Sequence, residues 1–202
     1  MIDEIVLATR NKHKVSEINE ILAGISLRIS SLATYPETPE VKEDCETLDE
    51  NAAKKAREVA LFLKKWALAD DTGLEVDFLN GEPGVYSARW AGLGCNYDDN
   101  NKKLLKLLKN VPVDKRKAAF RCVIALSDAE GNCTCVEGRI DGIIAENPAG
   151  GNGFGYDPLF VVPELKKTFA ELTSEEKNKI SHRSQALNKM KALIEKLVSR
   201  KQ

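Results

Sequence analysis

Several things that would tie a chain to a membrane, a metal cage or a nucleic-acid strand are missing from this sequence. No apolar run approaches the roughly 20 residues that a membrane-spanning helix needs. The opening stretch, Met1-Ile2-Asp3-Glu4, is acidic and lacks the basic-then-apolar plan of a secretory leader. Lys and Arg number 30 against 31 Asp and Glu, a net charge of -1, so no cationic excess argues for stable binding to nucleic acid or anionic lipid. Cysteine is sparse, and its odd count of 5 shows no framework spacing, which fits reduced thiols in a cytoplasmic protein. The only histidines, His13 and His182, have no ligand-spaced cysteines beside them, so a zinc site is excluded; Cys133 and Cys135 are simply placed on one strand face by their period of 2. The glycines of a Walker loop, a G-x-G-x-x-G turn and a serine elbow are all absent. What is present is a mixture of 43% apolar and 30% charged residues over 202 positions, enough for one domain with its own core.

The order of elements follows from periodicity. Ile5 to Ala8 reads as a short strand, Thr9 to Lys14 as a polar turn, and Val15, Ile18, Ile21 and Leu22 as one face of a helix. Ile25 to Leu32 reads as a second strand, and Tyr35 to Glu50 as an acidic, proline-punctuated loop. Thr47 and Glu50 have capping-box spacing before a stripe of Ala52, Ala56, Val59, Ala60 and Leu63. Trp66 to Ala69 is a buried strand that runs into Asp70-Asp71-Thr72-Gly73, after which Leu74, Val76 and Phe78 alternate up to a turn at Asn80-Gly81. A helix over about 98–109 carries Leu104, Leu105, Leu107 and Leu108, and strands over 118–127 and 133–145 pair across Asp128 to Asn132. A last helix over about 184–198 buries Leu187, Met190, Ile194 and Leu197. Alternation early and a hairpin late predict an α/β protein with a mixed sheet.

Four places combine chemistry-bearing residues. Thr9-Arg10-Asn11-Lys12-His13-Lys14 lies between a strand and a helix, where free N–H groups and the positive helix end suit a phosphate; equally, Asn11 can serve only as the helix cap. The acidic loop holds Glu37, Glu40, Glu43, Asp44, Glu46, Asp49 and Glu50, a composition that also suits plain solvated surface. Asp70-Asp71 ends an apolar strand, where α/β sheets collect ligands, so it can hold Mg²⁺ or activate water, or form an Asx turn with Thr72-Gly73. Phe154-Gly155-Tyr156-Asp157 can stack and read a base, or form a structural turn with Tyr156 in the core. Lys177, His182 and Arg183 supply three donors before the last helix, fit either to grip a carbonyl or to decorate a helix start.

Six motifs in order give the chain a resemblance. They are Thr9-x-Asn11-x-x-Lys14-x-x-Glu17, Glu50-Asn51-Ala52-x-x-Lys55-Ala56, Ala69-Asp70-Asp71-Thr72-Gly73-Leu74, Tyr86-Ser87-Ala88-Arg89, Gly153-Phe154-Gly155-Tyr156-Asp157-Pro158, and Glu171-Leu172-Thr173 through Lys177 to Ser181-His182-Arg183. Together, over essentially the whole chain, they resemble the inosine triphosphate pyrophosphatases, or XTP/dITP diphosphatases. The resemblance implies one pyrophosphatase domain over 1–202, with an elongated mixed sheet flanked by helices and two lobes around a nucleotide cleft. It further implies a cytoplasmic homodimer that hydrolyses ITP, dITP and XTP to the monophosphate and pyrophosphate with Mg²⁺. By motif, Thr9, Arg10, Asn11, Lys12, His13 and Lys14 cradle phosphate, assisted by Lys55 and Arg89. Asp71 is implied as base and metal ligand, Glu43 as the second metal ligand, and Thr72 as a substrate contact. Phe154, Gly155, Tyr156, Asp157, Lys177, His182 and Arg183 are implied around the base. Arg10 stands where many members have glycine, and Glu43-Asp44 where a glutamate pair is common. Other readings on the same residues are a pyrophosphatase for a modified pyrimidine triphosphate, a Maf-like relative, and a nucleotide-sensing module without turnover.

Overall fold

The structure is a computed structural model, and it describes residues 2–199. The acidic opening stretch is therefore described from Ile2 onward, with Met1 and 200–202 outside the described residues. The architecture is mixed α/β, an open sheet of 8 strands flanked by helices. In chain order the strands are β1 (Glu4–Leu7), β2 (Arg28–Ser31), β3 (Trp66–Val76), β4 (Pro83–Gly84), β5 (Lys117–Ser127), β6 (Cys133–Ile144), β7 (Phe160–Val162) and β8 (Lys167–Thr168). The helices are α1 (Lys12–Ile21), α2 (Leu48–Leu63), α3 (Tyr97–Leu107), α4 (Ser174–Ile180) and α5 (His182–Ser199). The sheet order is β2-β1-β3-β5-β6-β7-β8, with β4 paired to β3.

The chain divides into two compact units: 1–71, 122–138 and 183–202 form one, and 72–121 with 139–182 form the other. Each has its own core. In the first, β1 lies parallel to both β2 and β3. Ile5, Leu7, Ile18, Leu22, Leu68, Ile124, Leu187, Met190 and Ile194 form its interior. Of the α5 stripe expected from periodicity, Leu187, Met190 and Ile194 are buried and Leu197 is half-buried against them. In the second unit, Leu74, Trp90, Leu104, Leu108, Phe120, Tyr156, Phe160 and Phe169 pack together. Phe120 and Phe160 are 4.6 Å apart at their centroids.

Local sequence sets the helix starts. Asn11 caps α1 by accepting from the N–H groups of His13 and Lys14. Thr47 and Glu50 form the expected capping box at α2, and Thr173 and Glu176 form another at α4. The chief departure from the periodicity reading lies at Asp70-Asp71. β3 does not stop before the two acids; it runs for 11 residues through Asp70, Asp71, Thr72 and Gly73, so no Asx turn forms there. The strand expected over 25–32 is only Arg28–Ser31, because only these residues pair with β1. Phe78 leaves the alternation in a short 3-10 turn and is half exposed. Leu107 likewise faces solvent, since four leucines in five positions exceed one helical face.

Candidate functional site

Sheet register brings the first cluster together, all of it within the first unit. β1 and β3 are parallel neighbours with Leu7 opposite Leu68, and the Ala8 N–H donates to the Leu68 carbonyl at 2.7 Å. Two residues further along each strand stand Thr9 and Asp70. The polar turn and the acid pair thus emerge at the same strand end, the edge at which open α/β sheets bind ligands.

In the turn, Thr9 Oγ1 accepts from the Asn11 N–H at 3.2 Å, and Asn11 Oδ1 accepts from His13 at 3.0 Å. Arg10 reaches sideways and donates to the Thr38 carbonyl at 2.7 Å, fixing the turn to the start of the acidic loop. Lys12 and His13 are exposed in the first turn of α1. Lys14, one position on, turns inward and pairs with Asp70 at 2.9 Å.

Successive residues of a strand face opposite ways, and the two acids use this. Asp70 is buried and paired with Lys14 and with the guanidinium of Arg183, at 3.3 Å. Arg183 is itself held by Glu17 in α1. Burial alone would push the Asp70 carboxyl up, but Lys14, Arg183 and Lys55 outweigh it and hold it well below the usual carboxylate range. Asp71 has the opposite balance: burial pushes its carboxyl above the ordinary value, helped by the negative charge of Glu43 and only partly offset by Lys55.

Lys55, on the buried face of α2, is the hub. Its ammonium donates to Glu43 at 2.5 Å, to the Asp70 carbonyl at 2.7 Å and to Asp71 at 3.1 Å. Burial works against its charge, yet Asp71, Asp70 and Glu43 keep its pKa raised. A cavity of about 140 Å³ is lined by Thr9, Arg10, Lys14, Glu43 and Lys55.

The donor set suits a hard divalent cation. The carboxylates of Glu43 and Asp71 come from different elements and meet on one ammonium, so two oxygens already sit within reach of a single positive charge. Among the described residues, no group of three or more His, Cys, Asp or Glu side chains forms a ready metal cage. A cation here would depend on ligands from substrate and water.

A second cluster lies in the second unit. Asp157 accepts from the Phe154 N–H at 2.9 Å and from Lys177 Nζ at 2.7 Å. Gly153 is required at the turn: with φ +73, a Cβ there would fall 2.0 Å from the Asp157 carboxylate. The Lys177 ammonium stands 5.2 Å from the Phe154 ring centre, in cation–π range. Asn101 holds the Gly155 carbonyl at 3.0 Å. Tyr156 is in the core, with its hydroxyl donating to the Ser87 carbonyl at 3.0 Å. His182 is buried and stacked on Phe120, 4.7 Å between centroids. Arg89 lies over the Tyr86 ring at 5.3 Å, and Thr72 is half-buried on β3.

The residues expected around a base therefore do not all fall in one cluster. Phe154, Asp157, Lys177 and His182 belong to the second unit, while Arg183, the next residue in the chain, is engaged by Glu17 and Asp70 in the first. Glu17 and Asp70 had no individual role in the sequence reading. The signal was available: the i, i+3 spacing of Lys14 and Glu17 on α1 and the alternation of Asp70 and Asp71 on one strand.

Comparison with known proteins decides the lineage. A profile of the Ham1 family matches residues 5–193. The chain belongs to the Ham1 family. Among Ham1 relatives, a dITP/XTP pyrophosphatase of Thermoanaerobacter pseudethanolicus is 50% identical over 198 residues, covering 98% of this chain and 100% of its own. One from Clostridium perfringens is 52% identical over 192 residues, covering 92% of this chain and 94% of its own. In structure, a HAM1 protein from Coxiella burnetii superposes with a TM-score of 0.88 at 40% identity, over 96% of this chain and 98% of that one.

Proposed function

We propose that this Ham1 protein hydrolyses non-standard purine nucleoside triphosphates, ITP, dITP and XTP, to the monophosphate and pyrophosphate. The observation that carries the reading is the meeting of Lys55, Glu43 and Asp71 beside a helix-capped phosphate turn, in a chain half identical to relatives named dITP/XTP pyrophosphatases. The whole of 1–202 acts as one pyrophosphatase domain, cytoplasmic and homodimeric; among the described residues no helix is long and apolar enough to cross a membrane.

The chemistry follows from charge. Cleaving between the α- and β-phosphates places charge on the attacked phosphorus and the leaving pyrophosphate. Lys14, Lys55 and the N–H groups at the start of α1 face that charge, with Thr9, Arg10, Asn11, Lys12 and His13 assisting. Glu43 and Asp71 would hold Mg²⁺, which supplies charge neutralisation at the phosphate oxygens when bound. Asp71, raised by burial, is suited to accept the proton of the attacking water, and Asp70 keeps Lys14 turned toward the site.

Base reading falls to the second cluster. Phe154 offers a stacking face, while Lys177, His182 and the backbone of 154–157 offer donors to the 6-carbonyl of hypoxanthine or xanthine. Adenine carries an amino group there and would leave such donors unpaired, worth a discrimination on the order of 10⁴. Guanine shares the carbonyl, so its 2-amino group has to be what excludes it. Phosphorus NMR of the products of ITP with Mg²⁺ tests the reaction itself. Monophosphate and pyrophosphate are expected; diphosphate and inorganic phosphate, or no turnover, would overturn it.

A further inference from the structure

Asn51 lies in the Glu50-Asn51-Ala52-x-x-Lys55-Ala56 motif but takes no part in the chemistry above. It is 1% exposed and shares the buried face of α2 with Lys55, one turn further on. Its amide oxygen accepts from the Cys45 N–H at 3.0 Å. A backbone N–H can only donate, so the oxygen has to be the end that meets the loop. The amide nitrogen is then left buried with no partner among the described residues.

Three successive loop residues are bonded to α2. Glu43 meets Lys55 at 2.5 Å, Asp44 meets Lys54 at 2.5 Å, and Cys45 meets Asn51. The three bonds do different work. The Lys54–Asp44 pair is partly open to solvent, where water screens it and it holds little. Lys55 grips the Glu43 carboxylate itself, so it occupies the oxygen that a second cation would need. The Asn51 bond is uncharged and falls on the main chain, two residues from Glu43. It fixes the segment and leaves the carboxylate free to bind. A buried amide with an unpaired donor is costly, and a leucine of similar volume would avoid that cost. The anchoring of Cys45 is what an amide supplies here and a leucine does not.

We propose that Asn51 is a positioning residue for divalent-cation binding: by holding the Cys45 N–H it keeps the Glu43 carboxylate within reach of Asp71, and so sets the affinity of that pair for the ion. The role rests on Glu43 and Asp71 as the metal-binding pair. Groups that orient a metal ligand without touching the metal change affinity by about 10–100-fold when removed.

Mn²⁺ binding to the substrate-free protein, followed by EPR through loss of the free-ion signal, tests this without turnover. Asn51→Leu removes the acceptor at similar volume and is expected to raise the Mn²⁺ Kd about tenfold. Asn51→Asp keeps an acceptor for the Cys45 N–H and is expected to bind at least as tightly as the wild type. Cys45→Pro deletes the donor from the loop side with α2 intact; it weakens binding to the same extent, and joined to Asn51→Leu it adds no further loss. A merely structural Asn51 would lower the urea midpoint of Asn51→Leu and leave Kd unchanged. Additive losses in the double variant would overturn the proposal too. Glu43→Gln separates the two levels. If it weakens Mn²⁺ binding while Asn51→Leu and Cys45→Pro do not, the positioning role is overturned and the metal pair stands. If Glu43→Gln binds Mn²⁺ as tightly as the wild type, the metal pair falls and the role of Asn51 with it.

Discussion

Asp70 and Asp71 show how much one position along a strand can change. Both are acids, both are buried, and they are neighbours in sequence, yet they do opposite things. Asp70 is neutralised by Lys14 and Arg183 and held ionised; Asp71 is pushed toward its neutral form by burial. Removing Asp70 leaves two cations without their shared partner. Asp70→Ala is expected to lower unfolding stability by about 3–5 kcal/mol in urea titrations, the range for breaking a buried pair. Asp71 is different, because a carboxyl raised on folding opposes stability at neutral pH. Asp71→Asn should keep or raise the urea midpoint while slowing pyrophosphate release by about 10²–10⁴-fold, the usual worth of a positioned base. Equal losses of stability in both variants would show that the division of labour is wrong. Spacing alone made the pair conspicuous, but it did not separate the roles. Telling them apart requires knowing that the strand continues through them and which cations lie on each side.

Elements were legible wherever a local signal set them. The caps at Asn11, Thr47 and Thr173 and the apolar stripe of α5 can be read directly from residue order. The length of β3 could not, since Asp-Asp-Thr-Gly is a turn by composition and only its pairing and its buried cations keep it extended. β1 is tied to its surroundings by another acid that composition hides. Glu4 accepts from Tyr35 at 2.9 Å and from Lys65 at 2.7 Å, and lies 3.6 Å from Arg28. Burial pushes Glu4 up, but the bonds from Lys65 and Tyr35 outweigh it and hold it at about 2. Its folded value is depressed, so the unfolded chain binds the proton more readily. The stabilisation is present above about 4.5 and is lost as pH falls toward about 2. Melting temperature followed from pH 6 down to about pH 2 should fall more steeply for the wild type than for Glu4→Gln. Parallel slopes in the two proteins would remove Glu4 from the account.

For the molecule as a whole, composition excluded more than it assigned. Balanced charge, few cysteines and short apolar runs left an ordinary globular protein, and the motif order pointed to a single family. The boundary between the two units was not legible in composition, because β3, β5 and β6 each run through it without a linker, proline cluster or change in composition. Nor was the engagement of Arg183 by Glu17 and Asp70, which joins residues more than 100 positions apart. The central claim is that this Ham1 protein is a pyrophosphatase selective for non-standard purine nucleoside triphosphates. Pyrophosphate release with Mg²⁺ from ITP, XTP, GTP and ATP, measured side by side on the same enzyme, tests it most directly. The account predicts rapid release from ITP and XTP and little from GTP and ATP; comparable release from all four would contradict it.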